Sequence, residues 1–105
     1  MATIAGWIWR YNLDALLTEL QTLSGHELDE GVEKVLRDDI DASDTDVDPP
    51  RWAEADFEGS NRIVAQLGID QGTDVLLVQL QLADELEIRA KAILDMMASY
   101  RLTPS

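Results

Sequence analysis

The chain has 105 residues, of which 46% are apolar, with twenty-one acidic residues against eight basic ones. Its formal net charge of −13 disfavours direct binding to nucleic acids or anionic lipid surfaces and favours partners with basic surfaces. The absence of cysteine excludes disulfides and thiolate metal sites. Because we find no secretory signal and no run of roughly 20 apolar residues that could span a bilayer, we expect a cytoplasmic protein.

The N-terminal segment, residues 4–11, permits two interpretations. Its aromatic residues recur at every second position, which is typical of a strand, yet several of its apolar residues also fit the face of a helix. For residues 13–23 the apolar spacing predicts a helix. Asn12 is its expected N-cap and Gly25 its expected end.

A second helix is predicted from the capping-box spacing of Ser24 and Glu27. We expect it to bury one apolar stripe, formed by Leu28, Val32, Val35, Leu36 and Ile40. Residues 38–50 contain too much like charge and too few apolar side chains to pack, so they are interpreted as an exposed acidic loop.

Two short helices are predicted between the acidic loop and the C-terminal region. The first begins at Asp48 and continues through Phe57, with a proline at its first position, and the second runs from Ser60 to Leu67. A turn is expected at residues 70–73, where glycine and polar residues cluster.

Residues 73–102 contain no glycine or proline, and their apolar residues recur every three or four positions. This pattern predicts one long helix around which the other elements pack. Residues 75–82 also fit a buried strand, since apolar and glutamine residues alternate there. We predict an all-α fold for residues 1–105, a single domain with four to five helices in a small bundle. The alternative is an α+β fold with short strands at 4–11 and 75–82.

The sequence contains no recognisable catalytic or metal-binding pattern. His26 is the only histidine, so neither a histidine-based metal site nor a Ser-His-Asp set can be proposed. Residues 44–48 alternate aspartate in the manner of a calcium loop, but Pro49 stands where that loop needs glycine and Ala55 where it needs glutamate. We therefore expect no cofactor, no metal and no enzymatic activity.

Acidic residues are concentrated in the middle third of the chain, where thirteen of them lie between Glu27 and Glu58 with only three basic residues. This predicts a noncatalytic inhibitor or regulatory subunit that presents carboxylates to a basic protein, such as a nucleic-acid-binding enzyme, by mimicking nucleic acid. The candidate acidic face consists of Glu30, Glu33, Asp38, Asp39, Asp41, Asp44, Asp46, Asp48, Glu54, Asp56 and Glu58.

The alternative function is that of a structural or adaptor subunit whose acidity serves only solubility or adaptation to salt. It would dock on a partner, or on a second copy in a homodimer, through the predicted long helix and two tryptophans. The candidate interface residues are Trp7, Trp9, Leu86, Ile93, Met96, Met97 and Tyr100.

Overall fold

The computed structural model describes residues 1–102, which form a four-stranded antiparallel sheet and three α-helices. The elements in chain order are β1 (Ala2–Trp9), α1 (Leu13–Ser24), α2 (Glu30–Asp41), β2 (Ala53–Phe57), β3 (Ile63–Ile69), β4 (Val75–Leu82) and α3 (Glu87–Ser99). Single 3-10 turns at Arg10–Asn12 and Asp84–Leu86 lead into α1 and α3. The fold is therefore α+β, and the predicted all-α bundle is wrong.

The sheet has the strand order β1-β4-β3-β2, so β1 and β2 are its edges. All three helices pack on one face, where alternate strand residues such as Ile8, Leu67 and Leu80 are buried. The other face carries Thr3, Gln79 and neighbouring residues and has no helix over it. The sheet thus shows the alternation that is usual when only one face is covered.

The predicted long C-terminal helix is replaced by β4 and α3. In β4 the buried residues Leu76, Val78, Leu80 and Leu82 alternate with more exposed ones, and β1 and β3 pair with it on its two sides. Ala83 has an extended backbone (φ −65°, ψ 146°), which separates the strand from α3 without a glycine or proline. The structure thus agrees with the strand alternative for residues 75–82, which was based on the two-residue alternation of apolar and glutamine residues.

The two short helices predicted between residues 48 and 67 are also wrong. Residues Ala53–Phe57 and Ile63–Ile69 form the antiparallel pair β2 and β3, joined by a loop that contains Gly59. A Cβ at Gly59 would overlap the carbonyl oxygen of Ser24, so this loop approaches the end of α1 more closely than another residue would allow. The last three residues of β3 are all buried, because the side chains of Thr45 and Trp52 cover the open face of the sheet at Gly68.

The first helix was predicted correctly, but the roles of its flanking residues differ in part. Gly25 adopts the left-handed conformation (φ 74°, ψ 20°) that ends α1, as expected. Asn12 makes no capping bond and is instead buried, donating to the carbonyls of Met97 and Tyr100 at 2.7 Å each. The side chain thereby joins the end of β1 to the end of α3.

The second helix starts later than predicted. Its N-cap is Asp29, whose side chain accepts from the amide of Val32 at 3.1 Å. Ser24 belongs to α1, and its hydroxyl accepts from the amide of His26, so the predicted capping box does not form. The helix continues to Asp41 and takes the first part of the predicted acidic loop. Across residues 1–102, every helix is too short or too polar to traverse a bilayer.

Candidate functional site

The candidate site begins with an apolar stripe on α2 that the core covers only in part. Leu36 and Ile40 are buried, but Val32 is 52% exposed and Val35 is 60% exposed. All four belong to the stripe that the sequence predicted to be buried. Their exposure leaves two apolar side chains, one helical turn apart, at the surface of α2.

The exposed valines form one wall of a groove between α2 and the edge strand β2, which we name the α2–β2 groove. Its volume is about 630 Å³, and the rest of its lining comes from the start of α2 and from the middle of β2. The lining residues are Leu28, Asp29, Gly31, Val32, Val35, Leu36, Asp39, Glu54, Ala55 and Asp56. The groove therefore has apolar walls and four carboxylates.

The outer edge of β2 faces this groove without a hydrogen-bonding neighbour. On its inner side β2 pairs with β3 from Ala53 to Phe57. Within residues 1–102, no other backbone group bonds to the backbone of these five residues. An edge strand in this state presents alternate amide and carbonyl groups that another chain can bind.

Two of the four carboxylates have no counterion. Among residues 1–102, Asp39 on α2 and Glu54 on β2 make no salt bridge, and both side chains are exposed. Asp29 serves as the N-cap of α2 and so keeps its charge near the positive end of the helix dipole. The apolar groove thus carries an uncompensated negative charge.

The fourth carboxylate, Asp56, is paired. The guanidinium of Arg62 donates to its two oxygens at 3.0 and 2.5 Å, and these hydrogen bonds lower the pKa of Asp56. The same interaction raises the pKa of Arg62. Asp56 therefore stays ionised under mildly acidic conditions, but Arg62 already balances part of its charge.

Most of the other predicted acidic-face residues are paired within the chain or lie away from the groove. Arg37 contacts Glu33 at 3.7 Å and also Asp14, Lys34 contacts Asp38 at 3.3 Å, Arg10 contacts Asp41 at 2.9 Å and Arg62 lies 4.0 Å from Glu58. Glu30 and Asp48 are exposed at the start of α2 and in the following loop. The structure therefore brings together only Asp39, Glu54 and Asp56 from the predicted face, with Asp29 added.

The remaining acidic residues of the loop lie near the β3–β4 turn. Asp44 pairs through its backbone with Arg51, and its carboxylate accepts from the amide of Asp46 at 2.9 Å. A hydrogen bond with Asp70 and repulsion from Asp70 and Asp44 raise the pKa of Asp46. This is a second acidic cluster, and it is bordered by no apolar groove of the kind beside β2.

The predicted adaptor residues divide into core residues and a surface patch. Leu86 and Met97 are buried in the core, so these two side chains are not free to contact a partner, and Ile93 is partly buried against the core. Trp7, Trp9, Met96 and Tyr100 lie at least partly at the surface near the ends of β1 and α3. Trp7 and Trp9 meet edge to face with ring centroids 5.2 Å apart, and Trp9 stacks on Tyr11 at 6.1 Å.

Two further features of the described residues concern metal binding and a second cleft. In residues 1–102, no three His, Asp or Glu side chains converge to hold a metal ion. A second, polar cleft of about 320 Å³ lies on the open face of the sheet. Thr3, Gln66, Gln79 and Gln81 line it together with Glu54, Asp56 and Arg62, so the two carboxylates of β2 border both this cleft and the α2–β2 groove.

Sequence reasoning missed the α2–β2 groove because it took residues 52–57 as a helix and counted the whole α2 stripe as core. Comparison of the chain with protein-family models, with curated proteins and with solved structures finds no match.

Proposed function

We propose that this protein is a noncatalytic interaction protein, an inhibitor or regulatory subunit that binds a basic protein through the α2–β2 groove. The observation that carries this proposal is the combination of exposed Val32 and Val35 with the unpaired carboxylates of Asp39 and Glu54 in one groove. Apolar side chains supply contact area, while carboxylates favour basic partners and disfavour acidic ones. We place this activity in the cytoplasm, as the sequence predicts.

The overall charge supports the same proposal. A chain with a net charge of −13 attracts basic surfaces over about a Debye length, which accelerates encounter at low salt. The groove differs from the rest of the acidic surface because it joins charge with apolar area. A basic surface that normally binds nucleic-acid phosphates is the partner class that fits this charge.

A capture experiment at two salt concentrations tests the proposal. Immobilised protein is compared with the double variant Asp39→Asn, Glu54→Gln and with a control of equal charge change, Glu85→Gln, Asp95→Asn, whose residues are exposed outside the groove. At low salt we expect the wild type and the control variant to capture a basic protein and the groove variant not to capture it. At high salt we expect the capture by the wild type and the control to be lost. Capture that all three proteins share, at both salt concentrations, would contradict the proposal.

A second candidate function is supported by the aromatic patch of Trp7, Trp9 and Tyr11. Trp7 is 40% and Tyr11 is 42% exposed, and the guanidinium carbon of Arg101 lies 4.6 Å from the Tyr11 ring centroid. Tryptophan, tyrosine and arginine are the residue types that dominate binding energy at interfaces. An adaptor that docks through this patch would bind its partner in a manner that resists salt, and the predicted homodimer would use the same patch.

A further inference from the structure

The two sides of β2 differ in chemistry, and this difference restricts what can bind beside it. Ala53, Ala55 and Phe57 point to the helix-covered face and are buried, whereas Glu54 and Asp56 point to the open face. A chain placed next to β2 would have its own side chains alternate between these two faces in the same way. One set would meet apolar residues of α2, and the other would meet carboxylates.

We propose that the α2–β2 groove binds an extended segment of the partner as a fifth strand beside β2, with apolar and basic residues alternating along it. This inference rests on the proposed function and specifies how the partner is recognised. The apolar residues of the segment contact Val32 and Val35, and its lysines or arginines contact Glu54 and Asp56. Its backbone bonds to the free edge of β2.

The dimensions of the groove agree with a bound strand. Asp29 and Asp39 lie ten residues apart on α2, which corresponds to roughly 15 Å along the helix axis. The five residues of β2 span roughly 16 Å. Both walls therefore match the length of about five extended residues, which is typical of recognition by strand addition.

The charges of the groove decide between possible occupants. A second copy of this chain would bring another highly acidic surface against Asp39 and Glu54, which repulsion disfavours. The charged residues of β2 itself also oppose edge-to-edge pairing between two copies. A basic segment meets none of this repulsion, and its lysines or arginines supply a counterion to Glu54.

Defined peptides test the proposed geometry. The probe is a fluorescently labelled seven-residue peptide that alternates lysine and valine, and the control is its isomer with four lysines followed by three valines. Fluorescence anisotropy at low salt measures both dissociation constants for the full chain. We expect the alternating peptide to bind roughly tenfold more tightly, because only it places all valines toward α2 and all lysines toward the carboxylates.

Two N-methylated forms of the alternating peptide test the backbone contact. Methylation of all lysine amides blocks one edge of the peptide strand, and methylation of all valine amides blocks the other. Strand addition predicts that one form loses binding by roughly tenfold or more, while the other changes by about twofold or less. Equal losses for the two forms would overturn the inference.

Protein variants test the apolar contact. Val35→Ser should weaken binding of the alternating peptide by roughly fivefold or more, and Ile88→Ser, at an 83% exposed site on α3, should leave it unchanged. Since both replaced side chains are exposed, both variants keep the fold, which circular dichroism checks. Equal binding of the wild type and Val35→Ser would overturn the inference.

Failure of this inference can be told apart from failure of the proposed function. If both peptide isomers bind equally and Asp39→Asn, Glu54→Gln weakens both, strand addition is overturned while recognition by charge at the groove stands. If neither peptide binds, strand addition is also overturned. The capture experiment with the whole partner then judges the proposed function separately.

Discussion

The two edge strands of the sheet, β1 and β2, differ in how closely a helix packs beside them and in the charge they carry. At β1 the neighbouring helix packs closely, since a Cβ at Gly6 would lie 3.3 Å from Leu94 Cδ1, and Trp9 donates to the carbonyl of Ala98 at 2.8 Å. At β2 the neighbouring helix leaves Val32 and Val35 exposed above a groove. A strand and its neighbouring helix are therefore closely packed at β1, whereas at β2 they leave the groove that we propose binds a partner.

The two edge strands also differ in charge. The eight residues of β1 include no charged side chain, whereas β2 carries Glu54 and Asp56 within five residues. Charges on an edge strand oppose pairing with another copy of the same chain but admit a partner of opposite charge. The negative residues on β2 therefore oppose pairing of this edge with a second copy, and under the proposed function they also favour a basic partner.

Truncating one apolar residue beside β1 and one beside β2 should give the largest difference in the free energy of unfolding. Leu94→Ala removes a buried side chain beneath β1 and should lower the free energy of unfolding by about 2–5 kcal/mol. Val35→Ala removes an exposed side chain beside β2 and should change the free energy of unfolding by less than about 0.5 kcal/mol. Urea denaturation of both variants measures these values. A loss of similar size for Val35→Ala would mean that the groove belongs to the core.

Asn12 offers a second way to weaken the β1 side alone. Its side chain donates to Met97 and Tyr100 and accepts from the amide of Leu102 at 2.8 Å. Asn12→Ala leaves these groups without partners and should cost about 1–3 kcal/mol of unfolding free energy. Peptide binding at the α2–β2 groove should remain as in the wild type under conditions where the variant is folded. Loss of binding in the folded variant would show that the two edges are coupled.

The smallest expected effect concerns the second acidic cluster, which lies outside both edges. The hydrogen bond to Asp70 raises the pKa of Asp46, so the folded state binds this proton more tightly than the unfolded chain does. At about pH 7 the ionised Asp46 is repelled by Asp70 and Asp44, and this repulsion destabilises the folded state. The destabilisation is relieved as the pH falls through the raised pKa, because Asp46 is then protonated. Asp46→Asn should raise the melting temperature slightly at about pH 7 and less at about pH 4. A larger gain at the lower pH would contradict this sign.

The parts of the fold that sequence reasoning identified are those with an unambiguous local signal. The helix ending at Gly25 has one periodicity and one stop, and both are present in the structure. The apolar residues of 75–82 fit both the period of a helix and the two-residue period of a strand. The segment forms a strand because β1 and β3 pair with it on its two sides. Because those partners are distant in sequence, no local pattern could make that choice. The strand alternative stated for this segment matches the bounds of β4.

The candidate site was predictable only in its charge. The cluster of acidic residues identified Asp39, Glu54 and Asp56. The contact of Arg37 with Glu33 follows from their i, i+4 spacing on a helix, whereas Arg10 and Asp41 are distant in sequence and no local pattern pairs them. The exposure of Val32 and Val35 depends on the place where α2 crosses the edge of the sheet. The position of α2 over the sheet is fixed by tertiary packing, and it cannot be predicted from the amphipathic pattern of the helix alone.

Amide hydrogen exchange, with and without the alternating lysine and valine peptide, tests strand addition at β2 because it observes both edges of the sheet in one measurement. We expect slower exchange at the outward-facing amides of β2 when peptide is present, and unchanged exchange along β1. Protection along β1, or saturable binding with no added protection in β2, would contradict strand addition.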